Sequence, residues 1–173
     1  MIHHVSIPAR NPEHVARVLA ELLGGYAGPF VGPMHGAWAV YEEDGFGTGI
    51  EVYDERTLLM PGDADEAGSV RLGDAPRAVA FHALLSVKAS RAEIEAIGAR
   101  EGWRAKTFGR GMRGHKPFFH VIEFWLENRL MIEVVSPEMA REYEDFLKNA
   151  RTEIMGDPEA VRLMRATHVK EPV

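Results

Sequence analysis

The sequence predicts an α+β fold: two tandem βαβββ modules forming a cupped mixed sheet, followed by a C-terminal helical extension. Three observations carry this. The tripeptide Ile-Glu-Val occurs twice, at Ile50-Glu51-Val52 and at Ile132-Glu133-Val134, each time inside a short β-type run. Upstream of each copy, at a nearly equal distance, lies a strand carrying a histidine, His4 in the first half and His82 in the second. Between histidine and glutamate, each half carries the same order of signals, a capped helix and then short strands.

The first strand is expected over 2–7. Asn11-Pro12 follows, a helix N-cap with proline at the first helical position. Val15, Val18, Leu19 and Leu22 then recur at helical spacing, and Gly24-Gly25 stops the helix. Strands are expected at 29–31, 37–42 and 47–54, with a hairpin turn at Asp44-Gly45. The second half repeats the pattern. A histidine strand over 79–87 precedes Ser90 and Glu93, a capping-box pair. A shorter helix, with Ile94 and Ile97 facing inward, ends at Gly102. Strands are expected at 104–108, 118–126 and 130–135, turning at Glu127-Asn128. The domain reading is a first module at 1–54, a connection at 55–77, a second module at 78–136 and an extension at 137–173. The connection is rich in Gly, Asp, Ala and Pro and long for a structureless loop, so it reads as a linker or a lid. Helical spacing of Met139, Tyr143, Phe146 and Leu147 predicts a helix packed on a sheet or on a partner subunit.

Composition removes several function classes. The net charge of −6 is spread over 173 residues without a long basic run, which argues against a nucleic-acid partner. No apolar stretch approaches the roughly 20 residues needed to span a bilayer. The N-terminus lacks the basic head and apolar stretch of a signal peptide, so a cytoplasmic protein is expected. With no cysteine, a metal site could use only nitrogen and oxygen ligands.

His4, Glu51, His82 and Glu133 are the candidate ligands. A glutamate in mid-strand between apolar neighbours is costly if buried without a partner. Two such glutamates in equivalent places suggest one shared cause. A divalent ion bound by two imidazoles and two carboxylates would leave the site neutral and leave positions for water or substrate. Zn, Ni, Co, Fe and Mn all accept such ligands. Taken singly, each of the four is explained equally well by the wet face of a half-exposed sheet.

The runs His-Val-Ser-Ile near the start, Gly-Ile-Glu-Val-Tyr, Phe-His-Ala-Leu-Leu-Ser-Val and Met-Ile-Glu-Val-Val, with a helix opening on Asn-Pro, resemble the vicinal oxygen chelate superfamily. That group includes glyoxalase I, the bleomycin-resistance proteins, the extradiol dioxygenases and the fosfomycin-resistance enzymes. The resemblance covers roughly residues 1–136. It implies paired βαβββ modules with metal ligands on the first and last strand of each, so His4, Glu51, His82 and Glu133 correspond to the four ligands of glyoxalase I. His3 is one residue out of phase. Extradiol dioxygenases leave the fourth position free, whereas Glu51 fills it here. Two features depart from glyoxalase I. Pro8 stands where its glutathione-binding arginine would be, with Arg10 two residues on. Its usual turn before the last strand is replaced by Leu126-Glu127-Asn128-Arg129. Lactoylglutathione is therefore not the expected substrate.

A metal with open positions can hold neighbouring oxygens and stabilise a developing oxyanion, while a carboxylate beside it takes a proton next to a carbonyl. The resemblance gives that second role to Glu133. The expectation is a metal-dependent, glyoxalase-like isomerase, epimerase or lyase acting on a small oxygenated metabolite. His120 is a second candidate base or a partner of the ligands. Trp38 and Tyr53 are candidates to line the pocket, and Arg110, Arg113 and His115, around a glycine-rich loop, to close on an anionic substrate. Two alternatives stay open: a non-catalytic binder of a small molecule or antibiotic, and an Fe(II) dioxygenase. A homodimer is expected, with the site formed within one chain or between two.

Overall fold

The computed structural model describes residues 2–32, 34, 36–60, 67–75, 80–111 and 116–149. Strand β1 (His4–Ala9) leads into helix α1 (Pro12–Leu23). The Asn11 side chain accepts the His14 N–H at the helix start, leaving Pro12 in the first turn, where no intrahelical donor is needed. Gly24 closes the helix at φ 68°, a left-handed conformation that strains any side chain. Strands β2 (Tyr26–Pro29), β3 (Trp38–Tyr41) and β4 (Gly49–Asp54) complete the module. Its sheet runs β1-β4-β3-β2, with β1 and β4 parallel and the other pairs antiparallel. The segment predicted as a linker or lid carries a separate hairpin of β5 (Thr57–Met60) and β6 (Ser69–Leu72).

The second module repeats this topology: β7 (Leu84–Ser86), α2 (Arg91–Glu101), β8 (Ala105–Arg110), β9 (Phe119–Leu126) and β10 (Leu130–Val135), in sheet order β7-β10-β9-β8. Ser90 and Glu93 form the predicted capping box, and Gly102 ends α2 at φ 68°. The helices alone account for the punctuation seen in the sequence. Two strands differ from expectation. β2 begins three residues early, because the chain turns straight from the Gly24 cap into pairing with β3. β7 has only three residues, paired with β10, and Ala80–Ala83 precede it.

Each sheet carries its helix on one face. Val15, Val18, Leu19 and Leu22 of α1 are buried with Ile7, Ile50, Val52 and Val40; Ile94 and Ile97 of α2 are buried with Ile122, Phe124, Ile132 and Val134. These residues belong to one apolar cluster that runs through both modules. Trp103 lies at its middle, edge-on to Phe124 and to the His14 ring of α1. Polar contacts add to this joint. The Glu127 carboxylate accepts the backbone N–H groups of Arg10 (2.8 Å) and Asn11 (2.9 Å), ahead of α1. Arg100 of α2 makes a two-pronged pair with Glu21 of α1, and Arg129 pairs with Glu55.

The extension forms α3 (Pro137–Asn149). Its predicted stripe packs on the chain's own sheet. Met139 is buried, Tyr143 meets Phe119 edge-on, and Phe146 contacts both Phe118 and Phe119. Phe119 shares a strand face with Glu123, two positions of alternation away. In register, Glu123 is the β9 neighbour of Glu133. The helix therefore packs at the start of β9, meeting Phe119 on the face of Glu123 and His120 on the other. No helix among the described residues is long and apolar enough to cross a membrane.

Candidate metal centre

The register of β1 against β4 places Ser6 beside Glu51 and His4 beside Gly49. His4, Ser6, Glu51 and Tyr53 therefore share the face opposite α1. His4 Nε2 lies 3.7 Å from Glu51 Oε1. The Glu51 side chain is only 12% exposed, and both its remaining donors are neutral: Ser6 Oγ–H at 2.9 Å and the Tyr53 phenol, each to Oε2. Burial, and then the hydrogen bond to Glu51, raise the Tyr53 pKa above the ordinary phenol value. The Phe30 ring lies against Tyr53.

The second module places Glu133 in the same way, but its neighbours differ. Parallel register sets Leu84 beside Glu133 where Ser6 stands beside Glu51. Antiparallel register sets Glu123 beside Glu133 where Ala39 stands beside Glu51. Val135 stands where Tyr53 does. In place of two hydroxyls, Glu133 receives a guanidinium. Arg110 donates to Glu133 Oε1 from Nε at 2.9 Å and from Nη2 at 2.5 Å, and Nη2 also reaches Glu123 Oε1 at 2.9 Å. Burial works against the Arg110 charge, but the hydrogen bonds to Glu133 and Glu123 outweigh it and hold the pKa above the ordinary guanidinium value. The Trp125 indole N–H approaches Glu123 Oε2 at 3.5 Å.

His82 lies two residues before Leu84, ahead of β7, and is exposed. Continuing the parallel register would carry it to Met131, the position corresponding to the one His4 takes beside Gly49. The two halves thus repeat the His/Glu arrangement in the backbone. They do not bring the four side chains together: among the described residues, no group of three or more His, Asp or Glu could hold a metal ion. The residue chemistry, one imidazole and one carboxylate per module, suits a divalent ion held between two half-sites. A single chain supplies the halves separately.

Other candidates move. His120 is out of phase with Glu123 on β9, so it faces away from Glu133. Its ring Nδ1 and its backbone N–H both meet the Glu142 carboxylate of α3, each at 2.9 Å. That pairing removes it as a base for chemistry at Glu133. Trp38 pairs in register with Val52, not Glu51, and its ring lies under the Arg17 guanidinium of α1. It belongs to the helix side and not to the pocket. Tyr53 stays at the site as a partner of Glu51. Arg110 is the last residue of β8 and not part of a free loop. Arg113 and His115 lie outside the described residues. His3, out of phase as expected, bonds the Phe46 carbonyl at 2.8 Å. Ser6 and Glu123 were not among the expected site residues, although strand alternation from His4 and equal counting back from the Glu127-Asn128 turn both point to them. A surface cavity of about 460 Å³ lies elsewhere, between the β5–β6 hairpin and the start of α1, lined by Pro12, Asp54, Arg56 and Arg71 among others.

Two modules in the order β-α-β-β-β, each with a parallel outer pair of strands and a mid-strand glutamate on the sheet face opposite its own helix, decide the architecture. This is the paired βαβββ arrangement that the resemblance in the sequence implies. No protein-family model matches the sequence, and no curated protein matches it. Solved structures with a similar fold include the genomically encoded fosfomycin resistance protein FosX of Listeria monocytogenes. It is 11% identical, with 84% of this chain and 97% of that one covered and a TM-score of 0.49. The oxidase ChaP-H2 is 17% identical over 79% of this chain and 92% of its own, at a TM-score of 0.42. A bleomycin resistance determinant encoded on transposon Tn5 is 14% identical over 78% and 96%, at 0.44.

Proposed function

We propose that this chain is a metal-dependent, glyoxalase-like enzyme, an isomerase, epimerase or lyase that moves a proton on a small oxygenated metabolite. The observation that carries the reading is the repetition of a part-buried glutamate, in the same sheet register, with a histidine two residues upstream of its β1 or β7 neighbour. His4 and Glu51 would hold the ion from one module, His82 and Glu133 from the other. When bound, a divalent ion would supply the positive charge against which an enolate-like oxyanion develops. The residues do the rest. Glu133 takes the proton on the carbon beside the carbonyl and returns it or passes it on. Ser6 and Tyr53 hold Glu51 through one oxygen, leaving its Oε1 turned toward His4. Because each chain supplies two separate halves, the site is completed by a second copy, in a homodimer where one chain's first module meets the other's second.

Binding of Mn²⁺, Zn²⁺ and Ni²⁺ to the full chain by titration calorimetry tests the metal. Proton exchange into a panel of small 2-oxo and 2-hydroxy acids in D₂O, followed by NMR, tests the chemistry. The expected result is metal binding together with metal-dependent deuterium incorporation that Glu133→Gln abolishes. Full exchange activity in Glu133→Gln would sink the assignment of the base. The rival reading, a binder without chemistry, draws support from one observation: both glutamates already have partners without a metal. That reading predicts no metal binding and no metal-dependent rise in melting temperature.

A further inference from the structure

We infer that Arg110 is a gate on Glu133: the cation that occupies this carboxylate until a divalent ion displaces it, with Glu123 as its resting place. The inference rests on the metal reading above and concerns how the two half-sites differ. Both Arg110 donors that reach Glu133 converge on one oxygen, Oε1, from Nε and from Nη2. The same Nη2 already touches Glu123 Oε1 at 2.9 Å. A guanidinium cannot lie against a carboxylate oxygen that also ligates a divalent ion, because two positive charges a few ångströms apart in a half-buried place repel strongly. Arg110 need not leave the sheet to make room. It has a second carboxylate one strand over, so a shift toward β9 frees Glu133 and keeps the guanidinium paired.

The first module has no counterpart. Ala39 occupies the position of Glu123, and the partners of Glu51 are neutral hydroxyls that a metal-bound carboxylate can keep. Glu51 is therefore ready for an ion, whereas Glu133 is guarded. Among the remaining charged neighbours, Lys106 lies beside Glu123 in register on β8 and is exposed. The arrangement sets the direction of the shift: Arg110 leaves the glutamate at the His/Glu pair and keeps the one that is not a candidate ligand.

Two variants with opposite expected signs test this, using Mn²⁺ and Zn²⁺ titrated into the full chain. Arg110→Met, which keeps the side chain's bulk and removes its charge, should tighten metal binding about tenfold, the size of effect expected from relieving one part-buried ion pair. Glu123→Gln removes the resting place, holds Arg110 on Glu133 and should weaken binding several-fold. Far-ultraviolet circular dichroism and a cooperative melt establish that each variant is folded. A third measurement uses the wild-type chain alone. The Arg110 Nε–H signal in ¹⁵N NMR, held by Glu133, should shift as Zn²⁺ is added. Unchanged or weaker binding in Arg110→Met, or an Nε–H signal that saturating Zn²⁺ leaves in place, overturns the gate while the metal reading stands. Failure of the wild type and both variants to bind either ion at millimolar concentration overturns the metal reading, and the gate with it.

Discussion

The two modules share a topology and a register, yet they treat the same glutamate in opposite ways. In the first, Glu51 is held by the neutral hydroxyls of Ser6 and Tyr53, with His4 close by. In the second, Glu133 and Glu123 share the Arg110 guanidinium, and α3 packs on Phe119 at the start of the strand that carries Glu123. The first module's glutamate face instead exposes Tyr26 and Tyr41. The two modules share what the backbone needs: helix caps, strand order, parallel outer pairs. They do not share the side chains around the glutamates. The apolar side of each sheet is fixed by packing against a helix, where a lost methylene is felt at once. The opposite side answers only to hydrogen bonding and ligand chemistry, so it was free to diverge.

That comparison can be broken outright by mixing variants. Glu51→Gln and Glu133→Gln should each weaken metal binding alone, Glu133→Gln leaving some ion bound. Co-refolded in equal amounts, they should restore part of it, because a mixed dimer contains one site with both glutamates intact. If each site closed within one chain, mixing would restore nothing. A smaller effect separates charged from neutral support. Without metal, Arg110→Met should lower unfolding stability by about 2 kcal/mol, between the values for exposed and buried ion pairs. Tyr53→Phe should cost about 1 kcal/mol, one hydrogen bond. Urea unfolding reads both, and equal costs would mean that the two glutamates are supported alike after all.

The joint between modules supplies the weaker tests. Glu127→Ala should cost about 1 kcal/mol, the usual value of a helix cap, since it strips the acceptor from two N–H groups ahead of α1. An unchanged midpoint would mean that water replaces the carboxylate without loss. The smallest effect concerns pH. The Arg100 hydrogen bond is the largest cause lowering the Glu21 pKa below its ordinary value, opposed by slight burial. A carboxylate with a depressed folded pKa gives stability that is present above its unfolded pKa, about 4.3, and is lost as pH falls through the folded value. Arg100→Gln should therefore flatten the acid side of the stability curve: its small loss of stability is present above about pH 4.5 and vanishes at lower pH. Both side chains are about half exposed, so the effect should fade further with added salt.

Much of this was legible in the sequence, and the legible parts have a common origin. Asn11-Pro12, Ser90 with Glu93, Gly24 and Gly102 act through bonds within a few residues, so they can be read without knowing the fold. β4 and β10 were legible because Ile-Glu-Val alternates cleanly. The short extent of β7 was not, because the apolar residues around His82 look the same whether they pair or not. The pairing of the four candidate ligands by module was legible, but their meeting was not, since that depends on how two modules, or two chains, are set against each other. Arg110 read as a loop residue near a glycine run. Its real partner lies 23 positions away, across two strand registers. His120 could have been excluded earlier, because alternation alone sets it on the opposite face from Glu123.

The Glu127 turn has a consequence for solubility. Glu127 and Asn128 both hold positive φ, 51° and 54°, and the turn they make presents a carboxylate to the start of another module's helix. Such a contact joins unlike surfaces, head to tail. Within the chain it is used once, so one head and one tail are left over: the start of α2 and the turn between β3 and β4. Were these able to make the same contact between molecules, each chain could add to the next without limit, as heterologous contacts that do not close produce fibres. Neither is available. The Ser90 N–H and hydroxyl are taken by Glu93 of the same helix. Asp44, at the corresponding turn, spends its carboxylate on the N–H groups of Phe46 and Gly47 and on Thr48 in its own loop. Two short-range hydrogen-bond patterns, each ordinary alone, thus occupy the groups that such a contact between molecules would need.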